Sequence, residues 1–254
     1  GEFALPADVS GLGGDVGIYT ADVNLKAQGA WNMKHFLTIS LDYAYDYFDF
    51  SSANAPFSSM NRTSAMAFYT CKITDQWGAF AMASFAMGAQ TGESLWSGRK
   101  ASFALGAAYA INESLNIGFG GMAYSRVDDQ WLGIPIAFID WKITDNLKLR
   151  TFAGAALFYD VFGNDSLVFS FSVEYKNRYY RLGDDNLDRR RSVRDSYVQV
   201  YAGATYNITK RAYVSASIGG NFARSLEMKT NTNDAGDIDI DSAPTFIVQA
   251  GFRF

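Results

Sequence analysis

The sequence is poor in the residue types that build disulfide frameworks, metal clusters and hydrolytic triads. Its 254 residues include one cysteine, Cys71, and one histidine, His35. A single cysteine excludes an intrachain disulfide framework and a cysteine metal cluster, and a single histidine excludes histidine-rich metal sites. We therefore expect no cofactor and no metal, and we interpret the chain as a protein that is not an enzyme.

Long apolar runs and proline are also scarce. No run approaches the ~18 apolar residues that a transmembrane helix requires, and the chain has only four prolines. The formal net charge of −4 and the isoelectric point of about 5.0 give no electrostatic case for binding nucleic acid. Residues 1–6 lack a signal-peptide pattern. We interpret them as a mature or trimmed terminus, so this absence does not indicate the cytoplasm.

Aromatic residues are abundant instead, since 20 Phe, 15 Tyr and 5 Trp make up 16% of the chain. The mean hydropathy is only −0.07, so the apolar side chains must alternate with polar ones. The C-terminal segment shows this alternation, with one face formed by Phe246, Val248, Ala250, Phe252 and Phe254. The other face is formed by Thr245, Ile247, Gln249, Gly251 and Arg253. A period of two predicts a β-strand with one apolar face.

This ending resembles the C-terminal signature of bacterial outer-membrane barrels, whose last strand ends in phenylalanine. The resemblance implies that the barrel-assembly machinery recognises this strand. The membrane-insertion signature would be formed by Phe246, Val248, Phe252 and Phe254. The alternative is an edge strand of a soluble sandwich that happens to end in Phe.

The same alternation recurs along the chain. Three further apolar faces are Leu37, Ile39, Leu41, Tyr43, Tyr45 and Tyr47, then Leu167, Phe169, Phe171, Val173 and Tyr175, then Val198, Val200, Ala202, Ala204 and Tyr206. The opposite faces are polar, and in the first two of these segments they carry charges. A lipid-facing exterior around a polar lumen explains both faces at once. The sequence therefore predicts an all-β, transmembrane, antiparallel up-and-down β-barrel.

A recurring connector predicts the turns of this barrel. An aromatic residue, an apolar residue and a polar turn precede a new strand at residues 69–77, 109–115, 141–147 and 206–212. Longer polar stretches lie between them at residues 51–61, 90–97, 183–195 and 226–242. Short periplasmic turns and longer extracellular loops are typical of outer-membrane barrels.

The rim on which each turn lies constrains the number of strands. If the four short turns share one rim, residues 147–181 must cross the membrane an odd number of times. We therefore divide this stretch at residues 153–155 and place a turn at residues 163–165. About 12 strands result, and up to 14 if residues 1–30 contribute to the wall. Residues 1–30 are either a first strand or a segment inside the lumen of a single domain spanning residues 1–254.

The inward charges are the candidate functional residues. The alternation assigns to the lumen Asp42, Asp46, Lys72, Arg126, Asp140, Lys142, Lys148, Arg150, Asp160, Glu174, Lys176 and Arg178. One hypothesis is a polar pore whose charges select a small solute. The other is a ladder of salt bridges that fills a narrow barrel and braces its wall.

Two charged stretches fall in predicted external loops. Residues 189–191 with Arg194 could contact lipopolysaccharide phosphates, although pairing within the loop is the more common outcome. The clustered aspartates of residues 233–241 could bind Ca²⁺. The stretch lacks the terminal glutamate of an EF-hand, so a calcium site is the less common outcome. His35 follows a predicted periplasmic turn, on the wrong rim for chemistry on surface lipids, and we interpret it as structural.

Residues 101–228 resemble an uncharacterised family of bacterial outer-membrane β-barrel domain proteins. The resemblance is carried by LGAAY at 105–109, PIAFIDW at 135–141, LFY at 157–159 and YYRL at 179–182. It covers about half of the chain and implies a barrel in the bacterial cell outer membrane, with no catalytic residues.

Two functional hypotheses follow from these observations. The first is an outer-membrane channel for passive or selective diffusion of a small polar solute. The second is a structural, adhesive or partner-anchoring barrel with a closed lumen and no transport activity. Both place the chain in contact with the lipid bilayer and with lipopolysaccharide.

Overall fold

The computed structural model describes residues 1–10, 13–52, 55–125, 131–152, 154–183, 192–229 and 234–252. These residues form 15 β-strands and one turn of 3-10 helix at Leu95–Gly98. The strands are β1 (Glu2–Asp8), β2 (Asp15–Trp31), β3 (His35–Phe50), β4 (Ser59–Lys72), β5 (Trp77–Gln90), β6 (Arg99–Ala110), β7 (Leu115–Ser125), β8 (Trp131–Lys142), β9 (Leu147–Thr151), β10 (Gly154–Asp160), β11 (Leu167–Arg181), β12 (Ser192–Asn207), β13 (Ala212–Lys229), β14 (Asp234–Ile240) and β15 (Ala243–Phe252). No helix in this part of the chain is long and apolar enough to span a membrane.

The strands close into one antiparallel ring. Each strand from β1 to β13 pairs with the next, β13 pairs with β15, and β15 pairs with β1. Residues 212–221 of β13 pair with β15, and residues 224–229 pair with β14. β14 and β15 therefore follow one another at a single position in the wall. The predicted barrel class is confirmed. The central estimate of 12 strands is too low, because the 15 strands occupy 14 wall positions.

β1 and β2, which make up most of residues 1–30, belong to the wall. β2 pairs with β3 along its whole length, from Val16 opposite Phe50 to Trp31 opposite His35. β1 lies between β2 and β15. Both strands are therefore part of the wall. The predicted division of residues 147–181 into three crossings is confirmed, since β9, β10 and β11 occupy it in order.

The short turns of the barrel share one rim, which we call the lower rim, and the opposite rim is the upper rim. In three of these turns a threonine hydroxyl accepts two backbone N–H groups. Thr144 Oγ1 accepts from Asn146 at 3.3 Å and from Leu147 at 3.0 Å. Thr74 and Thr209 repeat this arrangement, and the Asn112 side chain replaces it in a fourth turn. This shared turn explains the recurring connector in the sequence.

Thr144 supplies a test of the turn geometry. Replacing Thr144 with valine keeps the side-chain shape and removes the hydroxyl acceptor, so we expect the free energy of unfolding to fall by about 0.5–1.5 kcal/mol. Thr144→Ser retains the hydroxyl and should cost less. Denaturant titration of the folded barrel measures both variants, and an equal loss in the two would show that the hydroxyl does not hold the turn.

Side chains alternate across the wall as the sequence predicted. On β3, Ile39, Leu41 and Tyr43 are exposed on the outside, whereas Ser40 and Ala44 are buried on the inside. On β15, Phe246, Val248 and Phe252 are exposed on the outside. Phe254, the fourth residue of the predicted insertion signature, lies outside the described residues. A continuous apolar exterior is the surface that a bilayer covers.

The barrel narrows toward the upper rim because β9 and β10 are short. β11 pairs with β10 only as far as Glu174, and its end reaches β5, where Arg181 pairs with Ala89. A Cβ on Gly88 would lie 2.4 Å from the carbonyl oxygen of Tyr179, so this contact requires glycine. The upper ring therefore contains the nine wall positions of β1–β5 and β11–β14, while β6–β10 line the interior below it.

The strands also extend further upward than the sequence predicted. The stretch 226–242, predicted as a loop, contains the end of β13 and all of β14. Arg194, predicted in an external loop, lies in β12 and forms an ion pair with Glu227 of β13 at 3.1 Å. In the predicted loop 183–195, residues 184–191 lie outside the described residues, and this stretch includes the arginines at 189–191.

Candidate functional site

The interior of the upper ring is filled by a packed apolar cluster, which we call the upper seal. Met60, Leu226 and Tyr180 are at most 1% exposed within it. The cluster consists of Ala4, Ala7, Val9, Val16, Ile18, Phe48, Phe57, Met60, Tyr180, Leu182, Val193, Leu226, Ile238, Ile240 and Ala243. Most of these residues come from the ends of strands near the upper rim. Their packing closes this end of the described interior.

A buried carboxylate, Asp46, lies next to the upper seal. Its side chain is 0% exposed and accepts hydrogen bonds from Thr20 Oγ1 at 2.7 Å, Tyr180 OH at 2.9 Å and Arg62 Nε at 3.0 Å. Arg178 Nη1 lies 3.6 Å from Oδ1 of the same carboxylate. A carboxylate this deep is stable as an anion only with such donors and positive charges around it.

Arg178 extends this network across the lumen. Its second nitrogen lies 3.8 Å from Glu2, and its guanidinium stacks over the Tyr197 ring at 5.3 Å. Glu2 Oε1 in turn accepts hydrogen bonds from Tyr201 and Asn221 at 3.2 and 3.3 Å. The network therefore ties β1 and β3 to β11, β12 and β13.

A second buried ion pair joins β12 and β13. Arg224 donates to both oxygens of Asp195, at 2.9 and 2.6 Å, and the two side chains are only 3% and 1% exposed. The guanidinium also lies 4.4 Å from the centre of the Tyr197 ring. Parallel hydrogen bonds of this kind are the strongest form of arginine–carboxylate pair.

The residues that sequence reasoning missed are Glu2, Thr20, Arg62, Tyr180, Asp195, Tyr197 and Arg224. A bulge explains the omission of Arg224. Ala223 has a φ of +50°. Before it, the inward residues of β13 are odd-numbered and end with Asn221, whereas after it they are even-numbered and begin with Arg224 and Leu226. A bulge inserts one residue and reverses the faces. The alternation on one side of Ala223 therefore predicts the wrong face on the other.

Among the predicted lumen residues, two groups pair inside the barrel. Lys148 and Arg150 lie 3.0 and 3.3 Å from the two oxygens of Asp140 in the lower half. Glu174 and Lys176 pair with each other at 2.7 Å. Asp42 and Asp46 lie on β3 and Arg178 on β11, in or beside the network described above. Arg126 lies outside the described residues.

Three other predicted lumen residues serve the turns of the lower rim. Lys142 donates to Asp145 at 2.6 Å, and this hydrogen bond lowers the pKa of the Asp145 carboxyl. Lys72 pairs with Asp75 at 2.9 Å and lowers the pKa of that carboxyl in the same way. Asp160 accepts the backbone N–H groups of the turn that follows β10.

The wide lower interior holds a cavity of about 630 Å³, which we call the lower vestibule. It reaches the lower rim, since the turn residues 74–76 line it. A cluster of four phenylalanine rings borders it, with centroids 5.4–6.5 Å apart, formed by Phe68, Phe80, Phe138 and Phe152. Asp140 and Arg150 add a polar wall. Gly106 and Gly118 leave the space that the rings of Phe80 and Phe138 occupy, since a Cβ there would lie 2.3 and 2.1 Å from them.

A smaller cavity of about 180 Å³ lies below the upper seal, and we call it the middle cavity. Its lining is polar and charged on four strands, with Asp42 on β3, Arg62 on β4, Lys100 on β6 and both Asn177 and Arg178 on β11. Polar side chains on inner faces are expected where a barrel encloses water or a solute.

His35 has a structural environment. Its ring packs against both Trp31 and Tyr69, with centroid distances of 5.6 and 6.0 Å, and these two rings also contact each other at 6.1 Å. Nδ1 lies 2.6 Å from the Tyr69 hydroxyl. The described residues contain no group of three or more His, Cys, Asp and Glu side chains that could hold a metal ion.

Comparison with known proteins gives one family match and several remote structural likenesses. A family model described as a domain of unknown function, DUF6268, matches residues 15–254. No curated protein matches the chain.

Three of the solved structures that this chain resembles illustrate the likeness. The NanC porin is 10% identical over 100% of this chain and 99% of its own, with a TM-score of 0.40. The TodX monoaromatic hydrocarbon channel is 8% identical over 100% and 90%, with a TM-score of 0.45. The ferric-catecholate import receptor Fiu from E. coli K12 is 12% identical over 95% and 53%, with a TM-score of 0.36. These identities and TM-scores are too low to transfer a ligand or an activity to this chain.

Proposed function

This chain belongs to the DUF6268 family, and we propose that it is an outer-membrane channel for a small polar solute that is closed at rest. The observation that carries the proposal is the presence of two cavities inside one closed wall. The lower vestibule reaches the lower rim, and the polar middle cavity lies above it, below the upper seal. The apolar exterior fits residence in the outer membrane of a Gram-negative bacterium.

The charged lining of the middle cavity favours a polar solute. This cavity contains charged side chains from four strands, and the vestibule adds Asp140 and Arg150 beside its phenylalanine rings. Fixed charges in a narrow tube with low-dielectric walls act strongly on a passing solute. The gate in this proposal is the upper seal, because it is the packed layer between the middle cavity and the upper rim.

The second candidate function is a structural or partner-anchoring barrel without transport. The apolar packing of the upper seal and the two buried ion pairs favour it, since such an interior also braces a barrel. In either case we propose that β15, with Phe246, Val248 and Phe252 outside, is the strand recognised during barrel assembly. We also propose that the barrel contacts lipopolysaccharide, whichever of the two functions it has.

Single-channel recording in planar bilayers tests the proposal. We expect rare openings in the wild type. In the double variant Met60→Ala/Leu226→Ala the open probability should rise at least about tenfold. Removing these two side chains weakens the closed state by more than ~1.4 kcal/mol, which corresponds to a tenfold change in the ratio of open to closed states.

The matched control is Leu105→Ala, which removes an outward-facing leucine that is 67% exposed. It should leave the open probability unchanged. Heat-modifiable migration on a gel shows that each variant still forms a barrel. A folded double variant that never conducts would contradict the channel and favour the closed structural barrel.

A further inference from the structure

We propose that the middle cavity is a binding site for a small oxyanion, a carboxylate or a phosphate. The proposal rests on the proposed function in one respect, because it names the solute class that a channel with this cavity would select. The site itself requires only the geometry of Arg62, Lys100 and Arg178, whose side chains line the cavity from three strands.

Lys100 is the central residue of the proposed site. Its ammonium has no carboxylate within 4.0 Å among the described residues, and its recorded neighbour is the Tyr179 ring, 4.8 Å away. Arg194 also lies over the Tyr179 ring, 5.7 Å from its centre, and is itself paired with Glu227. Lys100 therefore places a positive charge in the cavity that no described side chain neutralises.

The carboxylates around the cavity are already occupied. Asp42 accepts hydrogen bonds from the Asn24 amide and from Ser64 Oγ. Asp46 is shared between Arg62 and Arg178. Glu2 is a second carboxylate partner of Arg178, so Asp46 and Glu2 together balance Arg62 and Arg178. Lys100 is then the cation at the cavity that has no carboxylate partner among the described residues. An anion would be held by charge-assisted hydrogen bonds, which are shorter and stronger than neutral ones.

Asn177 adds a neutral donor to the site. Its Oδ1 accepts a hydrogen bond from Arg194 at 3.1 Å, which leaves the amide NH₂ group to donate. Asn177 lines the cavity beside Arg178. Oxyanions accept several hydrogen bonds at once, so a mixture of amide, ammonium and guanidinium donors is suited to them.

The volume limits the size of the anion. The cavity measures about 180 Å³, and a protein cavity of about 150 Å³ accommodates benzene, which has six heavy atoms. Inorganic phosphate, with five heavy atoms, and small carboxylates such as acetate, with four, are within this range. Sugars with two rings and nucleotides are too large for the cavity as it stands.

Thermal unfolding of the detergent-purified full chain tests the site without any need for conductance. A ligand that binds only the folded barrel raises the unfolding midpoint with the logarithm of its concentration. We expect inorganic phosphate, and separately acetate, to raise the midpoint relative to chloride at equal ionic strength. In Lys100→Met the apparent dissociation constant for phosphate should increase at least about tenfold, because one charge-assisted hydrogen bond is lost.

Two control variants separate binding from general charge effects. Lys100→Arg keeps the charge and should retain most of the phosphate response. Lys142→Met removes a cation at the lower rim, outside the cavity, and should leave the response unchanged. Methionine at position 100 preserves the length of the side chain and strands no described carboxylate, so this variant is expected to fold.

The outcomes separate the site from the channel. A phosphate response that depends on Lys100 supports the site even if no conductance is ever recorded. An equal response in wild type and Lys100→Met, or no response in either, overturns the site even if the channel conducts. A response lost equally in Lys142→Met would show general ionic stabilisation and would also overturn it.

Discussion

Replacing Arg224 with methionine is expected to lower the free energy of unfolding by about 3–5 kcal/mol, the usual cost of leaving one partner of a buried ion pair behind. Asp195, at 1% exposure, would be left without either of its two short hydrogen bonds to Arg224. The loss would also remove the cation above the Tyr197 ring. Equilibrium unfolding by denaturant in detergent micelles, followed by gel migration, measures the change.

Two further variants show that burial is the cause. Arg194→Met breaks a pair on the same two strands whose members are 28% and 27% exposed, so its cost should be below about 1 kcal/mol. The double variant Arg224→Met/Asp195→Leu removes both buried charges and should recover much of the lost stability. Equal losses for Arg224→Met and Arg194→Met would show that the upper interior is hydrated and not closed.

The wall of this barrel was predictable from sequence because its determinants are local. Alternation with a period of two fixes which face of a strand meets lipid, and the threonine turns fix where strands end. Counting rims was enough to divide residues 147–181 into β9, β10 and β11. None of these inferences requires knowledge of which strands are neighbours across the lumen.

The interior was predictable only in part because it depends on contacts between distant strands. The contact of β11 with β5 follows from the shortness of β9 and β10, and it brings Tyr180 to Asp46, 134 residues away in sequence. The bulge at Ala223 changes the inward face of β13 without a proline or glycine to mark it. Alternation places Lys142 and Lys72 on the inner face, but it cannot show that each bonds to an aspartate in its own turn.

The charged side chains inside the barrel lie at three levels, and their pairing differs from level to level. This difference helps to distinguish the two candidate functions. Lys148 and Arg150 share Asp140 beside the lower vestibule. Asp46 and Glu2 pair with Arg62 and Arg178 next to the upper seal. Lys100, between these two levels, has no such partner among the described residues. A barrel braced only by salt bridges gives no reason for an unpaired lysine at the middle cavity, whereas a solute site does.

Arginine on the outer face of β11 is expected to destabilise the barrel far more than arginine on its inner face. Phe169 and Phe171 are 49% and 50% exposed on the outside, in the part of β11 that pairs with β10 and β12 on both sides. Near the bilayer midplane, Phe169→Arg or Phe171→Arg should each cost about 2–4 kcal/mol, because the guanidinium must enter hydrocarbon. Unfolding of the barrel in lipid vesicles measures this cost.

Ser170 and Ser172 are the matched controls, since they alternate with the two phenylalanines on the same strand and face the interior. Ser172 is next to Glu174 on that face, so an arginine there meets a carboxylate and the wide lower interior in place of lipid. Ser170→Arg and Ser172→Arg should therefore cost much less than the two outer variants. In detergent micelles, whose headgroups and water approach the wall more closely than in a bilayer, the penalty at Phe169 and Phe171 should shrink. Equal costs at all four positions in vesicles would mean that the outer face of β11 does not contact lipid, and a membrane-spanning wall would then be wrong for this part of the barrel.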